Sequence, residues 1–127
     1  MKNLRSNKLV VVIEDNPLVL EATESLLRSW GCKVVAAESC DEALRKLSQL
    51  GRRPDLIVCD YRLPHGPTGI DAIQRLRGTF NIPALLVSGD ATLSECDEDL
   101  YGYRLLHKPV NAKTFRAMLV DASVLPP

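Results

Sequence analysis

The chain has 127 residues, a length that is enough for one domain and too short for a second. Of these residues 46% are hydrophobic, which is enough for a buried core. Lys and Arg number 16, as do Asp and Glu, so the chain lacks the positive excess needed to bind along a nucleic-acid backbone. The N-terminal residues lack the apolar core of a secretory signal, and no apolar run is long enough to span a bilayer. We therefore expect a soluble, cytoplasmic protein with no direct nucleic-acid contact and no membrane insertion.

Short apolar runs rich in Val, Ile and Leu predict five β-strands. They lie at about residues 8–13, 33–37, 55–59, 83–87 and 103–106. Apolar residues at helical spacing predict four helices, at residues 17–30, 41–50, 70–76 and 111–122. The stretch 91–100 has few apolar positions and four acids, so we expect only a short or mobile helix there.

The alternation of strands and helices predicts an α/β fold with a parallel sheet. Right-handed βαβ crossovers place helices on both faces of such a sheet, which explains why the strands are apolar throughout. We expect one domain over residues 8–124, with a polar N-terminal tail at 1–7 and a short C-terminal tail at 125–127.

Polar residues stand at the ends of four of these strands. Glu14 and Asp15 follow the first apolar run, Asp60 the third, Ser88 the fourth and Lys108 the fifth. Because the carboxyl ends of parallel strands share one edge of the sheet, we expect these side chains to meet there.

This set of side chains is suited to phosphoryl chemistry. Three neighbouring carboxylates repel one another unless a hard cation lies among them, and Mg²⁺ is the natural candidate because it also bridges to phosphate oxygens. A carboxylate is a competent nucleophile toward phosphorus, and Asp60, alone after its strand, is the predicted site of an aspartyl-phosphate. Lys108 supplies a positive charge, and Ser88 and the backbone N–H groups from Gly89 onward supply hydrogen-bond donors.

In order and spacing these residues resemble the receiver domain of two-component signalling, from residue 8 to about 122. The successive intervals from Asp15 to Asp60, Ser88 and Lys108 are 45, 28 and 20 residues, similar to those of the family. The resemblance implies a flavodoxin-like three-layer fold, with a five-stranded parallel sheet of order 2-1-3-4-5 and helices on both faces.

The resemblance also implies roles for individual residues. Asp60 would be the phosphoacceptor, and Mg²⁺ or Mn²⁺ would be bound by Glu14, Asp15, Asp60 and the backbone carbonyl of Arg62. Phosphate binding and switching would involve Ser88, Gly89, Lys108 and Pro109, with a cis Lys108–Pro109 bond. The implied partner is a histidine kinase or a histidine phosphotransfer protein. The chain would be a monomer or weak dimer that acts as a signalling module, assists its own phosphotransfer and dephosphorylation, and is not a metabolic enzyme.

Two features differ from the usual pattern or add to it. The family's switch aromatic usually lies three residues before the lysine, where this chain has Leu105, with Tyr103 two residues earlier.

Arg62 and Asp90 flank the expected path of a hydrolytic water. We hypothesise that their opposite charges pair across the pocket and slow the loss of phosphate.

Three other functions remain as alternatives. An aspartyl-nucleophile phosphohydrolase needs a second Asp two residues after the nucleophile, where this chain has Arg62. A flavin or nucleotide binder would carry a glycine-rich phosphate loop after the first strand, and none is present. A phosphorylation-independent receiver would be a plain interaction module.

The runs DYRL and LLHKP resemble receivers of hybrid histidine kinases, so the chain is either a free-standing regulator or part of a larger protein.

Cysteine spacing and loop composition complete the predictions. The four cysteines lack the close pairs of a zinc or redox site, so we expect reduced thiols, with Cys59 in the core. The Pro/Gly-rich loop at residues 63–69 directly follows Asp60 and is expected to line the site. We expect His65 and His107 to be surface residues.

Overall fold

The computed structural model describes residues 7–63, 68–78 and 80–127. It contains five strands: β1 (Leu9–Ile13), β2 (Lys33–Ala37), β3 (Leu56–Asp60), β4 (Ala84–Ser88) and β5 (Arg104–His107). The α-helices are α1 (Pro17–Ser29), α2 (Cys40–Leu50), α3 (Gly69–Arg77) and α4 (Ala112–Asp121). Among the described residues, none of the helices has the length and apolar character needed to cross a bilayer.

The strands form one parallel sheet in the order β2-β1-β3-β4-β5. This confirms the predicted flavodoxin-like fold and its strand order. The strands β3, β4 and β5 begin and end one residue later than predicted, so Asp60 and Ser88 are the last residues of their strands. Just before β3, the Asp55 carboxylate accepts a hydrogen bond from the Leu9 N–H at 2.9 Å, which joins the start of β3 to the start of β1.

Alternate residues of the buried strands supply two separate cores. One face of the sheet packs Val11, Ile13 and Ile57 against α2 and α3. The opposite face packs Val10 and Val12 against α1 and α4, in a cluster that includes Leu27, Phe115 and Leu119. Burial on both faces removes most strand side chains from water, which stabilises the sheet. The polar residues at the carboxyl edge are therefore attached to a rigid part of the fold.

Local capping positions the helices around that edge. The Asn16 side chain accepts hydrogen bonds from the N–H groups of Leu18 and Val19, so α1 begins two residues after the Glu14–Asp15 pair. The helix α3 begins with a capping box in which Thr68 and Asp71 bind each other's backbone N–H. Gly51 ends α2 in the left-handed conformation, with φ of 67°.

The segment between β4 and β5 lacks an α-helix. Over residues 89–103 the only helical element is a 3₁₀ turn at Glu98–Leu100. Leu100 is fully buried and holds this turn to the core, whereas residues 94–98 are exposed. The weak helix expected at 91–100 is thus reduced to one turn, because a stretch with so few apolar residues cannot bury a helical face.

Candidate functional site

The carboxyl ends of four strands form a pocket of about 500 Å³. It is lined by Glu14, Asp15, Asn16, Asp60, Arg62, Ser88, Gly89, Asp90 and Lys108. The fold therefore brings together the polar residues that the sequence analysis placed at strand ends, across separations of up to 94 positions between Glu14 and Lys108.

Three carboxylates meet on one side of this pocket. Glu14, Asp15 and Asp60 each offer an oxygen atom, and the three oxygens lie within 4.8 Å of one another. Glu14 and Asp60 are buried, and Asp15 is partly exposed. Several carboxylate oxygens that converge at an open pocket match the ligands preferred by Mg²⁺, which usually binds one or two carboxylates and keeps some of its waters.

Lys108 supplies the positive charge on the other side. Its Nζ lies 2.6 Å from Glu14 Oε1 and 2.8 Å from Asp60 Oδ2. Burial alone would lower the pKa of Lys108, but its hydrogen bonds to Asp60 and Glu14 raise it, so the side chain stays charged. The Lys108 N–H donates to the Ser88 carbonyl at 2.8 Å, and the Lys108–Pro109 bond is cis, as the resemblance implied.

Glu14 is strongly affected by its surroundings. Its pKa is raised to about 7, mainly by burial and also by the neighbouring Asp60, while the hydrogen bond from Lys108 acts in the opposite direction. A glutamate with such a pKa is poised between its neutral and charged forms near neutral pH. A second cation in the pocket would favour the charged form.

Asp60 is held by hydrogen bonds on both carboxylate oxygens. Oδ1 accepts from the backbone N–H of Arg62 at 3.1 Å, and Oδ2 accepts from Lys108. Ser88 is buried, and its Oγ accepts a hydrogen bond from the Asp90 N–H at 3.0 Å. The Ser88 hydroxyl proton is thus available to a group bound in the pocket.

Gly69 supports Asp60 in a way that the sequence analysis missed. A Cβ at Gly69 would lie 2.1 Å from the backbone carbonyl oxygen of Asp60, so any side chain there would collide with the end of β3. The Gly69 N–H also donates to the Tyr61 carbonyl at 2.7 Å. Thr68 followed by Gly69 could have indicated a helix start, but nothing in the sequence shows that the glycine packs against Asp60.

The predicted pairing of Arg62 with Asp90 is present at the mouth of the pocket. Arg62 Nη2 lies 3.5 Å from Asp90 Oδ2. Asp90 also accepts hydrogen bonds from the Thr92 hydroxyl and N–H, and these, followed by Arg62, lower its pKa. Since the Arg62 side chain is 77% exposed, this pair is solvent-screened and its contribution to stability is small.

Leu105 and Tyr103 lie away from the pocket lining. The Leu105 side chain is buried in the core on the face of the sheet that carries α2 and α3. The Tyr103 hydroxyl accepts a hydrogen bond from Arg77 at 3.2 Å, and the Arg77 guanidinium lies 5.7 Å from the Tyr103 ring centre. Tyr103 therefore binds the end of α3, and no aromatic side chain of the described residues lines the pocket.

The structure also bears on the remaining predictions. Cys59 is fully buried and none of the four cysteines forms a disulfide; burial raises the pKa of the Cys59 thiol. His107 is exposed. Residues 64–67 of the predicted site loop, including His65, lie outside the described residues.

Comparison with known proteins supports one family. The profile of the response regulator receiver domain matches residues 10–120. The chain is 30% identical over 79 residues to the phyllosphere-induced regulator PhyR of Methylorubrum extorquens, covering 62% of this chain and 30% of that protein. It is 34% identical over 115 residues to a protein-glutamate methylesterase/protein-glutamine glutaminase of Syntrophus aciditrophicus, covering 89% of this chain and 28% of that protein. The chain thus spans about a third of the length of such relatives.

Solved structures agree with this result. The PhyR receiver domain of Erythrobacter litoralis has a TM-score of 0.79 at 25% identity, over 93% of this chain and 91% of that one. The receiver domain of the hybrid histidine kinase CckA has a TM-score of 0.73 at 26% identity, over 90% of this chain and 97% of that one. With the profile match across nearly the whole domain, these findings show that the chain belongs to the response regulator receiver domain family.

Proposed function

We propose that this chain is an active phosphoacceptor receiver that takes a phosphoryl group onto Asp60 from a histidine kinase or a histidine phosphotransfer protein. The observation that carries the proposal is the position of Asp60, a buried carboxylate that lies between the Lys108 ammonium and two further carboxylates. Receivers of this family bind Mg²⁺ at such an acidic cluster. Phosphorylation would shift a two-state equilibrium and change the affinity for partners.

The proposed reaction transfers one phosphoryl group. A carboxylate oxygen of Asp60 forms a bond to phosphorus while the P–N bond of the donor phosphohistidine breaks, and the imidazole nitrogen keeps the electron pair. Glu14, Asp15 and Asp60 offer the carboxylates for Mg²⁺ or Mn²⁺, with the Arg62 carbonyl as a further proposed ligand. When bound, the ion would neutralise charge on the phosphoryl oxygens.

The residues opposite the acids would bind the transferred group. Lys108 already contacts Asp60 and would pair with a phosphoryl oxygen, while the Ser88 hydroxyl and the Gly89 N–H would donate to the others. Pro109 follows Lys108, and a movement of Lys108 toward the phosphoryl group would also move Pro109. Donors that are in place before the reaction need little reorganisation during it.

Two alternatives lead to different outcomes. A phosphorylation-independent receiver would keep the fold but would not be labelled, and an aspartyl-nucleophile phosphohydrolase would release phosphate with repeated turnover. Arg62 stands two residues after Asp60, and an arginine cannot serve as the general acid that a phosphohydrolase needs. PhyR of Bartonella quintana, 27% identical to this chain, is described as an anti-anti-sigma factor, and this likeness favours an output through a protein partner. The parent could be a response regulator or a hybrid kinase like CckA.

The direct test is incubation of the protein with acetyl phosphate and Mg²⁺, followed by intact-mass analysis. We expect the mass of one phosphoryl group to be added, with loss of the label on hydroxylamine treatment, because acyl phosphates react with this nucleophile. Chelation of the metal should suppress labelling. An unchanged mass would contradict the proposal, and steady release of phosphate from small esters would favour the phosphohydrolase.

An apolar groove beside the pocket is the proposed contact for the protein donor. It has a volume of about 370 Å³ and is lined by Leu18, Val19, Ala22, Thr23, Leu26, Lys108, Pro109 and Val110. Lys108 lines both the groove and the pocket, so a partner that presents a phosphohistidine to Asp60 would lie close enough to cover the groove. Leu18, at 76% exposure, is its most accessible large apolar residue.

Leu18→Gln is expected to slow phosphotransfer from a donor protein that labels the wild type by about tenfold, through loss of one apolar contact. Labelling by acetyl phosphate should be unchanged, because this small donor does not need the groove. Leu50→Gln is the matched control, since Leu50 is 53% exposed at the end of α2. An equal loss with both phosphodonors would argue against a docking role.

Arg62→Ala is expected to shorten the lifetime of the phosphorylated protein by roughly threefold. The Arg62–Asp90 pair lies across the mouth of the pocket, and its removal should admit water more readily to the phosphoryl group. The measurement is the decay of the phosphorylated mass after removal of the phosphodonor, with Arg45→Ala on the exposed face of α2 as the control. An unchanged decay rate would refute the role of the pair.

A further inference from the structure

One carboxylate joins the segment between β4 and β5 to the outer edge of the sheet. Glu95 Oε2 accepts a hydrogen bond from the backbone N–H of Leu105 at 3.0 Å and lies 3.5 Å from Arg104 Nε. The strand β5 is at the end of the sheet order, with β4 on its inner side. Glu95 therefore satisfies an N–H that points away from β4, where a further strand would otherwise bind.

The middle of the segment held by this contact, residues 94–98, is exposed and has little other support. Residues 89–103 contain one 3₁₀ turn, and they carry five acids with no Lys or Arg. Leu100 is fully buried, Leu93 and Tyr103 are partly buried against the same core, and Glu95 itself is about half exposed. A segment with few buried apolar contacts has a low free energy of local opening, so a single hydrogen bond has a large share in its position.

The first end of the segment belongs to the proposed phosphorylation site. At the first end, the Asp90 N–H donates to Ser88 Oγ, and the Asp90 carboxylate faces Arg62. Beyond the other end, Leu105 lies within β5, and Lys108 follows that strand at the pocket. A movement of Ser88 toward a phosphoryl group would therefore shift the first end of the segment relative to β5.

We propose that the Glu95–Leu105 hydrogen bond is a latch that holds residues 89–103 against β5 in the unphosphorylated protein and opens when a phosphoryl group occupies the pocket. This inference rests on the proposed function. Two effects favour opening. The added negative charge repels a segment with five acids, and a hydrogen bond of 3.0 Å weakens steeply with displacement.

The latch would replace the side-chain coupling that Leu105 lacks. The Leu105 side chain is buried, and it is the backbone of this residue that contacts the β4–β5 segment. By linkage, a phosphoryl group that weakens the latch must bind more tightly when the latch is removed, by the same factor. The coupling can therefore be measured either as hydrogen exchange at Leu105 or as the affinity of the pocket for a phosphoryl analogue.

The first measurement is residue-resolved hydrogen exchange at the Leu105 amide by NMR, with and without Mg²⁺ and beryllofluoride, a stable phosphoryl analogue. In the wild type, we expect the analogue to speed exchange by at least about threefold. In Glu95→Ala, exchange should be fast without the analogue and should not rise further. Glu98→Ala, which removes an exposed acid from the same segment, should behave as the wild type.

The second measurement is the affinity for beryllofluoride, followed by the chemical shift of the Gly89 amide. Glu95→Ala should tighten binding about three- to tenfold, and Glu95→Gln, which keeps an acceptor oxygen, should have a smaller effect. If the Gly89 shift changes but Leu105 exchange does not, the latch is refuted while the proposed function stands. If beryllofluoride produces no change at Gly89, both are refuted.

Discussion

Replacement of Asp60 by Asn is expected to abolish labelling by acetyl phosphate, with a rate loss on the order of 10³-fold or more, because the carboxylate nucleophile is absent. The substitution preserves shape, and the Asn oxygen can still accept from the Arg62 N–H that now binds Asp60 Oδ1. Loss of labelling therefore reports on the nucleophile and not on the fold. Intact-mass analysis in the presence of Mg²⁺ is the measurement.

Asp41→Asn is a matched control for this variant. Asp41 is an exposed acid on α2 that pairs with Arg75, away from the pocket. Its replacement removes the same charge and should leave labelling at the level of the wild type. Continued labelling of Asp60→Asn would place the phosphoacceptor elsewhere in the chain and overturn the assignment.

The same Asp60 variant should be more stable than the wild type when metal is removed. The wild-type pocket places three carboxylates against one ammonium, and Lys108 would keep Glu14 as a partner after the change. Relief of like-charge repulsion should raise the melting temperature by about 3–5 °C for a stabilisation of about 1 kcal/mol. Equal or lower melting in the presence of a chelator would show that the acids are not crowded.

Lowering the pH from 8 to 6 is expected to stabilise the metal-free protein by about 1 kcal/mol through Glu14. The folded-state pKa of Glu14 is about 7, above its usual value of 4.5. Between these values the native state binds a proton that the unfolded state does not, so the free energy of unfolding falls as pH rises. This stabilisation is fully present below pH 4.5 and is lost as pH passes 7.

Urea unfolding at pH 6, 7 and 8 with a chelator present measures this effect. Glu14→Gln should remove it, because the amide does not titrate. Glu42→Gln is the control, since the hydrogen bond from Lys46 lowers the pKa of Glu42 and places its titration below this pH range. A pH dependence that persists in Glu14→Gln would assign it to another group.

The family and much of the candidate site follow from local sequence patterns. Apolar runs of strand length, separated by helical repeats, predict a parallel sheet, and the parallel arrangement then places the residues after each run at one edge. Asp60, Ser88 and Lys108 could be located in this way without coordinates, because each ends or follows a strand. The reduced element at residues 91–100 could also be anticipated, since burial requires apolar residues that the stretch lacks.

The sequence by itself determined the α/β fold class, the shared edge of the parallel sheet and the residue types that meet there, because hydrophobic periodicity controls which backbone segments are buried. Only the tertiary structure decided which charged groups pair. Lys108 binds both Glu14 and Asp60, Gly69 packs against the Asp60 carbonyl, and Glu95 binds the edge of β5. These contacts depend on distances across the folded chain between side chains with several rotamers, and no local pattern encodes such distances.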